Sequence, residues 1–286
     1  MRRQIRLATG QPHVTTAAGT AARGAQTAAA FDAVAGQYDG PLGNNALVQE
    51  LRWYLWTEVS ARVPAPATLL DLGCGTGLDA DHFAGRGYKV VAVDPSAGMV
   101  ARAGRRVETS GHADRVEVRE LPSGRFRLPD VQVECVYTNL GAINCVDDLP
   151  TAAAELRRVL RPGGMLIASV IGRVCPWEIA YHAARLDGGR IAIRFARGQV
   201  PVPLASGVVW TRYHTPRQFR DALEHHFEAV YWRGLGILLP PPYLIGIQRR
   251  APRVCSRLAS VDRRVGGLPL LRSLGDHFLM VLHRRD

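Results

Sequence analysis

The chain has 286 residues and 47% hydrophobic content, enough to fill the core of one sizeable α/β domain with additions. Its formal charge of +11 is carried almost wholly by arginine, Lys89 being the only lysine; with alanine, glycine and proline abundant, this skew reads as a GC-rich coding bias, not as a nucleic-acid footprint. Five cysteines, odd in number and without Cys-x-x-Cys or zinc-finger spacing, speak against a disulfide framework and a zinc site and imply reduced thiols in a cytoplasm.

Residues 1–28 are rich in Ala, Thr, Gly and Gln, lack the apolar core of a secretory signal, and are expected to form a disordered N-terminal tail. The remainder, 29–286, reads as a single domain. Phe31-Asp32-Ala33-Val34-Ala35-Gly36-Gln37-Tyr38-Asp39 opens it, and Asn44 or Asn45 can cap a helix in which Leu47, Leu51, Leu55 and Val59 recur every fourth residue. Trp53 and Trp56 lie off that stripe, open either to wall a pocket or to pack against a neighbouring element. Residues 29–64 are therefore read as a helical lid.

The apolar run Thr68-Leu69-Leu70 predicts a buried parallel strand, followed by Asp71-Leu72-Gly73-Cys74-Gly75-Thr76-Gly77. Three alternating glycines allow positive φ and let a ligand lie against bare backbone. A helix then carries Leu78, Phe83 and Ala84, and a second strand, Tyr88 to Val93, delivers Asp94 at its carboxyl end, where a carboxylate can accept from both ribose hydroxyls of a nucleoside. A dinucleotide loop wants Gly-x-Gly-x-x-Gly, but Leu78 occupies the last position. Pro95 begins the next helix, with Met99 one turn in.

Further strands are predicted at Arg115–Arg119, Val131–Thr138 and Met165–Ile171, with a helix over Thr151–Leu160 stopped by Pro162-Gly163-Gly164. Residues 172–213 read as an inserted cap holding a helix from Pro176 to Leu186 and strand-like runs at Arg190–Phe195 and Val208–Tyr213. Thr215-Pro216 starts a helix with Phe219, Leu223 and Phe227 inward. The last two strands are Glu228–Gly234 and Phe278–His283, separated by an insertion over 236–275. The apolar stretch Leu235–Ile247 is broken by Pro240, Pro241 and Pro242 and does not read as a membrane span. The cluster Arg249, Arg250, Arg253, Arg257, Arg263 and Arg264 reads as a solvated helix face.

Three ordered motifs, Asp71 to Gly77, Val93-Asp94-Pro95-Ser96-Ala97-Gly98-Met99 and Leu160-Arg161-Pro162-Gly163-Gly164-Met165-Leu166, resemble the class I, Rossmann-like methyltransferases of the small-molecule (type 11-like) kind that use S-adenosylmethionine (SAM). The resemblance covers roughly residues 65 to 171. It implies a doubly wound, mostly parallel seven-stranded sheet with an antiparallel last strand. It also implies SAM as cofactor, held by Asp71, the loop residues Gly73, Cys74, Gly75 and Gly77, and by Asp94, Pro95 and Met99. The lid tyrosine Tyr38 approaches cofactor and substrate in such proteins, Asn139 and Leu140 fall in the fourth motif, and Glu120 and Leu121 stand where the family places its adenine contacts, although its usual Gly-Asp pair is missing. The fourth motif is not the Asn-Pro-Pro-Tyr type that serves exocyclic amines of DNA bases.

The cofactor supplies the electrophile, so alignment can carry the reaction, and a hydroxyl acceptor would additionally gain from a base. His182 and His214, in or beside the cap, are the candidate catalytic bases; Asn144, Trp177, Tyr181, Tyr243 and Tyr38 are candidate substrate contacts. No metal or nucleic-acid partner is expected. The expected function is methylation of an O or N atom of a small, largely apolar or aromatic molecule in bacterial secondary metabolism. A polyprenyl-quinone or other lipid acceptor is one alternative, and a non-catalytic SAM-binding partner protein is another.

Overall fold

A computed structural model of the chain describes residues 17–40, 43–123, 126–205 and 207–286. Its centre is a seven-stranded sheet in the order β3-β2-β1-β4-β5-β9-β8. Strands β1 (Thr68–Leu72), β2 (Lys89–Asp94), β3 (Val116–Glu120), β4 (Val133–Thr138) and β5 (Leu160–Ile171) are mutually parallel. The last strand, β9 (His277–Arg284), runs antiparallel between β5 and β8 (Phe227–Leu235). This is the doubly wound α/β architecture that the motifs imply.

Near-continuous apolar strands need cover on both faces. One face is covered by α2 (Ala46–Arg62), α3 (Leu78–Ala84) and α4 (Ala97–Thr109), through Leu51, Leu55, Phe83 and Val107. The other is covered by α5 (Leu149–Val159) and α8 (Pro216–Leu223), through Leu149, Leu156, Phe219 and Leu223. Local signals set the helix starts. Asn45 caps α2, Ser96 caps α4, and Thr215 with Gln218 forms a capping box on α8.

Strand order makes a switch point at the carboxyl ends of β1 and β4, where chain crossovers leave the sheet in opposite directions and a crevice opens. Two additions extend the core, the first of them over that crevice. One is α1 (Ala17–Val34), which falls largely within the stretch expected to be disordered; residues 1–16 lie outside the described residues. The correction has a physical basis: its alanines favour helix, and it docks on the hairpin β6 (Val200–Leu204) and β7 (Gly207–Thr211). Thr27 Oγ1 accepts from Trp210 N at 3.1 Å, Gln26 accepts from Trp210 Nε1 at 2.7 Å, and a Cβ at Gly207 would stand only 2.7 Å from Ala30 Cβ.

The second addition is the rest of the cap. Helix α6 spans Pro176–Ala183, and the strand expected at Arg190–Phe195 is instead helix α7 (Gly188–Ile193), started by the Asp187 side chain accepting from Arg190 N. Strand β6 escaped prediction because Pro201 and Pro203 alternate within it, a pattern an edge strand tolerates where its missing donors face outward. Arg194 rivets the cap to the sheet. Its guanidinium donates to Gly172 O at 2.8 Å and pairs with Glu178 at 2.6 Å and Asp276 at 2.5 Å. Burial opposes ionisation of Asp276, but the adjacent His277 and Arg194 outweigh it and hold this carboxyl well below its usual range. Beyond β8, the insertion folds as α9 (Ile245–Arg250) and α10 (Pro252–Val265).

Candidate functional site

The loop after β1 is built on β2. Gly73 N and Cys74 N both donate to Val93 O, at 2.9 and 3.0 Å, and Gly77 N donates to Cys74 O at 3.0 Å. Gly73, Gly75 and Gly77 all have positive φ. Their roles then divide. A Cβ on Gly73 would lie 2.3 Å from Ala142 Cβ and one on Gly77 2.8 Å from Ala103 Cβ, so those two glycines permit close packing. At Gly75 an added Cβ meets nothing within 4 Å, so this bare backbone faces open space.

That space is a cavity of about 350 Å³ over the switch point, bounded by Gly73, Gly75, Asp94, Met99, Asn139 and Tyr38 among others. Asp94 closes one side. Its Oδ2 accepts from Gly75 N at 2.9 Å and its Oδ1 from Ser96 N at 2.9 Å, which aims the carboxylate and leaves a lone pair on each oxygen for a diol. Burial pushes the Asp94 carboxyl up to about 6 against those two hydrogen bonds. Pro95, Met99, Leu121, Pro122 and Phe126 supply an apolar slot beside it.

Under the loop lies a dense polar cluster. Arg52 Nη1 pairs with Asp79 Oδ2 at 2.6 Å, both side chains being buried, and Trp56 Nε1 and Asn139 Nδ2 donate to the same carboxylate at 2.7 and 3.1 Å. Asp71 lies deeper, with Oδ2 unpartnered; burial and the neighbouring Asp79 raise its pKa well above normal. Asp79 is thus neutralised by the buried Arg52, and the raised pKa of Asp71 favours its protonated, neutral form. Arg52, which lines the cavity and whose Nε lacks a partner, is the cation there that can receive a carboxylate.

The lid is positioned by its acids. Asp32 Oδ1 accepts from Ser96 Oγ at 2.6 Å and Gly98 N at 2.8 Å, and Asp39 accepts from Thr76 Oγ1 at 2.7 Å while pairing with Arg106 at 2.5 Å. Tyr38 is thereby held on the cavity wall, packed edge-on against Phe31 with ring centroids 6.1 Å apart. The far side is lined by Thr20 and Thr27 of α1, by Gln199, and by Val209 and Thr211 of β7. Gln199 Nε2 donates to Cys145 O at 3.0 Å, while its Oε1 is buried and without a partner.

Of the expected cofactor residues, Tyr38, Gly73, Cys74, Gly75, Asp94, Pro95, Met99, Leu121, Asn139 and Leu140 all line this cavity. Asp71 and Gly77 support it from beneath, and Glu120 is exposed at the end of β3, outside the lining. The expected catalytic and most expected substrate residues require correction. His214 is buried against Phe219 with Nε2 unpartnered, and burial together with Arg212 and Arg173 lowers its pKa to about 4. His182 faces Tyr243 Oη at 3.3 Å, and Tyr243 is half exposed. Trp177 donates to Leu238 O at 2.5 Å, and Tyr181 carries the Arg185 guanidinium at 3.5 Å. None of these lines the cavity, because α6 packs outward onto the insertion between β8 and β9, not over the switch point. Asn144 is also absent from the lining: it bridges Ile171 O, Arg212 O and Ile171 N, a tie between β5 and the hairpin.

Sequence reasoning missed Arg52, Asp79 and Gln199. Arg52 sits on the apolar-patterned α2 with no local motif, although a lone arginine among Leu51, Tyr54 and Leu55 is a buried charge that needs an acid.

The pH response of the site follows from Asp94. Above about 6 the carboxylate is ionised and accepts from a diol; as pH falls through that value a proton occupies one acceptor. SAM affinity is therefore expected to be constant above neutrality and to weaken below pH about 6, a slope that titration calorimetry should find absent in Asp94→Asn.

Residues 70–168 match the model of a methyltransferase domain. Over 163 residues the chain is 32% identical to a malonyl-[acyl-carrier protein] O-methyltransferase of Serratia marcescens, covering 57% of this chain and 59% of that protein. It is 35% identical over 142 residues to a demethylmenaquinone methyltransferase of Thermobifida fusca, covering 49% and 58%. The matches thus span about three-fifths of these relatives. In fold it is similar to the DhpI–SAH complex, with TM-score 0.55, 18% identity and coverage of 92% of this chain and 97% of that one.

Proposed function

The chain carries a class I, SAM-dependent methyltransferase domain, and on that premise we propose that it transfers a methyl group to an O or N atom of a small, largely apolar molecule, in the manner of natural-product tailoring enzymes. The observation that carries this reading is the single cavity shared by two unlike walls. On one side stand the Gly75 cradle, Asp94 and Arg52, which fit a nucleoside bearing a zwitterionic tail; on the other stand Phe31, Tyr38, Ile171 and Val209, which fit an apolar acceptor.

SAM supplies an electrophilic methyl group when bound. Asp94 would hold its ribose and Arg52 its carboxylate. Tyr38 and α1 exclude water from the acceptor side, and Gln199, whose Oε1 is buried without a partner, would turn that oxygen to accept from an N–H or O–H of the substrate, orienting its nucleophile. Among the described residues no histidine lines the cavity, and Asp147, which does, is engaged by Arg212 at 2.9 Å and Thr20 at 3.0 Å. The acceptor best suited is one that arrives with a free lone pair at neutral pH, an amine of low pKa, a carboxylate or an acidic phenol, so that no base is required.

Accordingly, His214→Ala and His182→Ala are expected to retain turnover within about threefold of wild type, in contrast to the loss of several hundredfold typical of removing a general base. The test is transfer of labelled methyl from SAM into fractionated small-molecule extract by wild type and both variants. Base-labile product would indicate a carboxylate acceptor, and base-stable product an amine or aryl oxygen. SAM binding without labelled product in any fraction would instead favour a non-catalytic SAM-binding partner.

A further inference from the structure

From Ile245 to Gly275 the chain carries seven arginines and one acid, Asp262. That acid is buried and accepts from Leu238 N at 3.0 Å, so it neutralises nothing at the surface. Arg263 pairs with Glu50 at 2.6 Å, and Arg272 lies over the Trp232 ring at 3.8 Å. The other five, Arg249, Arg250, Arg253, Arg257 and Arg264, are exposed and have no ion pair, hydrogen bond or ring partner among the described residues. Elsewhere on this surface arginines are commonly matched with acids, as Arg119 is with Glu117 and Arg158 with Asp130.

Beside this unmatched charge runs an unmatched apolar row. Helix α10 buries Cys255, Ala259 and Asp262. At 3.6 residues per turn, Arg253, Arg257 and Arg264 then fall along the opposite face, and Val254 and Val261 along the adjoining line. Val254 is 55% exposed and Val261 42%; in the turn that follows the helix, Leu268 is 50% exposed and Leu270 89%. Aliphatic side chains held in water between guanidinium groups are the pattern of a helix that lies in the headgroup region of a bilayer.

We propose that the outer face of α9 and α10, with the turn that follows α10, docks on an anionic phospholipid surface, the arginines meeting headgroup phosphates and Val254, Val261, Leu268 and Leu270 entering the acyl boundary. No described helix is long and apolar enough to cross a membrane, so the contact is peripheral. A second copy of the chain is a poorer occupant, since it would bring two arginine rows together. A nucleic acid would satisfy the arginines and leave the aliphatic row in water. The proposal does not depend on the identity of the methyl acceptor.

The test is co-sedimentation of the full chain with vesicles of pure phosphatidylcholine and with vesicles that also contain phosphatidylglycerol, at low and high salt. Wild type is expected to sediment with the anionic vesicles alone and to be released by salt. At roughly fivefold per surface arginine, Arg253→Ser with Arg257→Ser and Arg264→Ser should lower partitioning about a hundredfold. Val254→Ser with Val261→Ser and Leu268→Ser should lower it by about tenfold or more while leaving the charge intact. Unchanged melting temperatures and SAM titrations show that the variants fold; if the arginine triple variant does not, Arg257→Ser alone should give about a fivefold loss. Absence of wild-type binding to anionic vesicles overturns the proposal. So does full binding by the aliphatic variant, which would assign the face to a polyanion such as an acidic protein or nucleic acid.

Discussion

Asp94→Ala is expected to weaken SAM binding by at least about a hundredfold, since each charged hydrogen bond to a ribose hydroxyl contributes about 1.5–3 kcal/mol and two are lost. The same substitution also removes the acceptor of Gly75 N and Ser96 N, so the loop loses one of its ties to β2 as well as its ligand contact. Asp94→Asn separates the two effects. Burial raises the Asp94 carboxyl to about 6, above its unfolded value, so the ionised form costs folding stability at pH 7 and the protonated form does not. The amide carries no charge to bury. Thermal unfolding of Asp94→Asn at pH 7 should therefore stay near wild type while its SAM affinity falls, and a large drop in melting temperature would show that the carboxylate serves the fold, not the ligand.

The second large effect is expected at Asp79. Its carboxylate is the ion-pair partner of the buried Arg52 guanidinium and also accepts from Trp56 and Asn139, so Asp79→Ala strands three donors at once. Removing one partner of a buried pair costs about 3–5 kcal/mol, which denaturant unfolding would register as a fall in midpoint without a change of slope. Arg52→Met combined with Asp79→Asn removes the buried charge and keeps an acceptor for Trp56. That double variant should recover much of the stability. It should not recover SAM affinity, because the cation facing the cavity is gone. Recovery of both would mean that Arg52 is only structural.

These residues also show what was legible in the sequence. The first two strands and the loop could be read because each rests on local chemistry: an apolar run of strand length, glycines where φ turns positive, and an acid at the end of the next strand. Asp94 was singled out for the same reason. Arg52 and Asp79 were not, since their meaning arises only when α2 is laid across the start of α3, 27 residues on. The helix α1 was misread because an Ala- and Gly-rich segment has no apolar periodicity of its own; its order comes from β7, nearly two hundred residues away, through Thr27 and Gln26. The histidines failed for a related reason. Nearness of His182 and His214 to a predicted cap said nothing about which way α6 packs, and it packs against Leu238 and Tyr243. The acceptor wall was therefore the least legible part. It is assembled from α1, Gln199 and β7, which no local motif brings together.

The measurement that bears most directly on the account is calorimetric titration of the wild-type chain and Asp94→Ala with SAM and, separately, with NAD. One site for SAM on the wild type, lost in Asp94→Ala, with no heat from NAD, is the predicted result. Binding of NAD, or SAM binding that Asp94→Ala leaves unchanged, would contradict the assignment of the cavity over Gly75 as the seat of SAM.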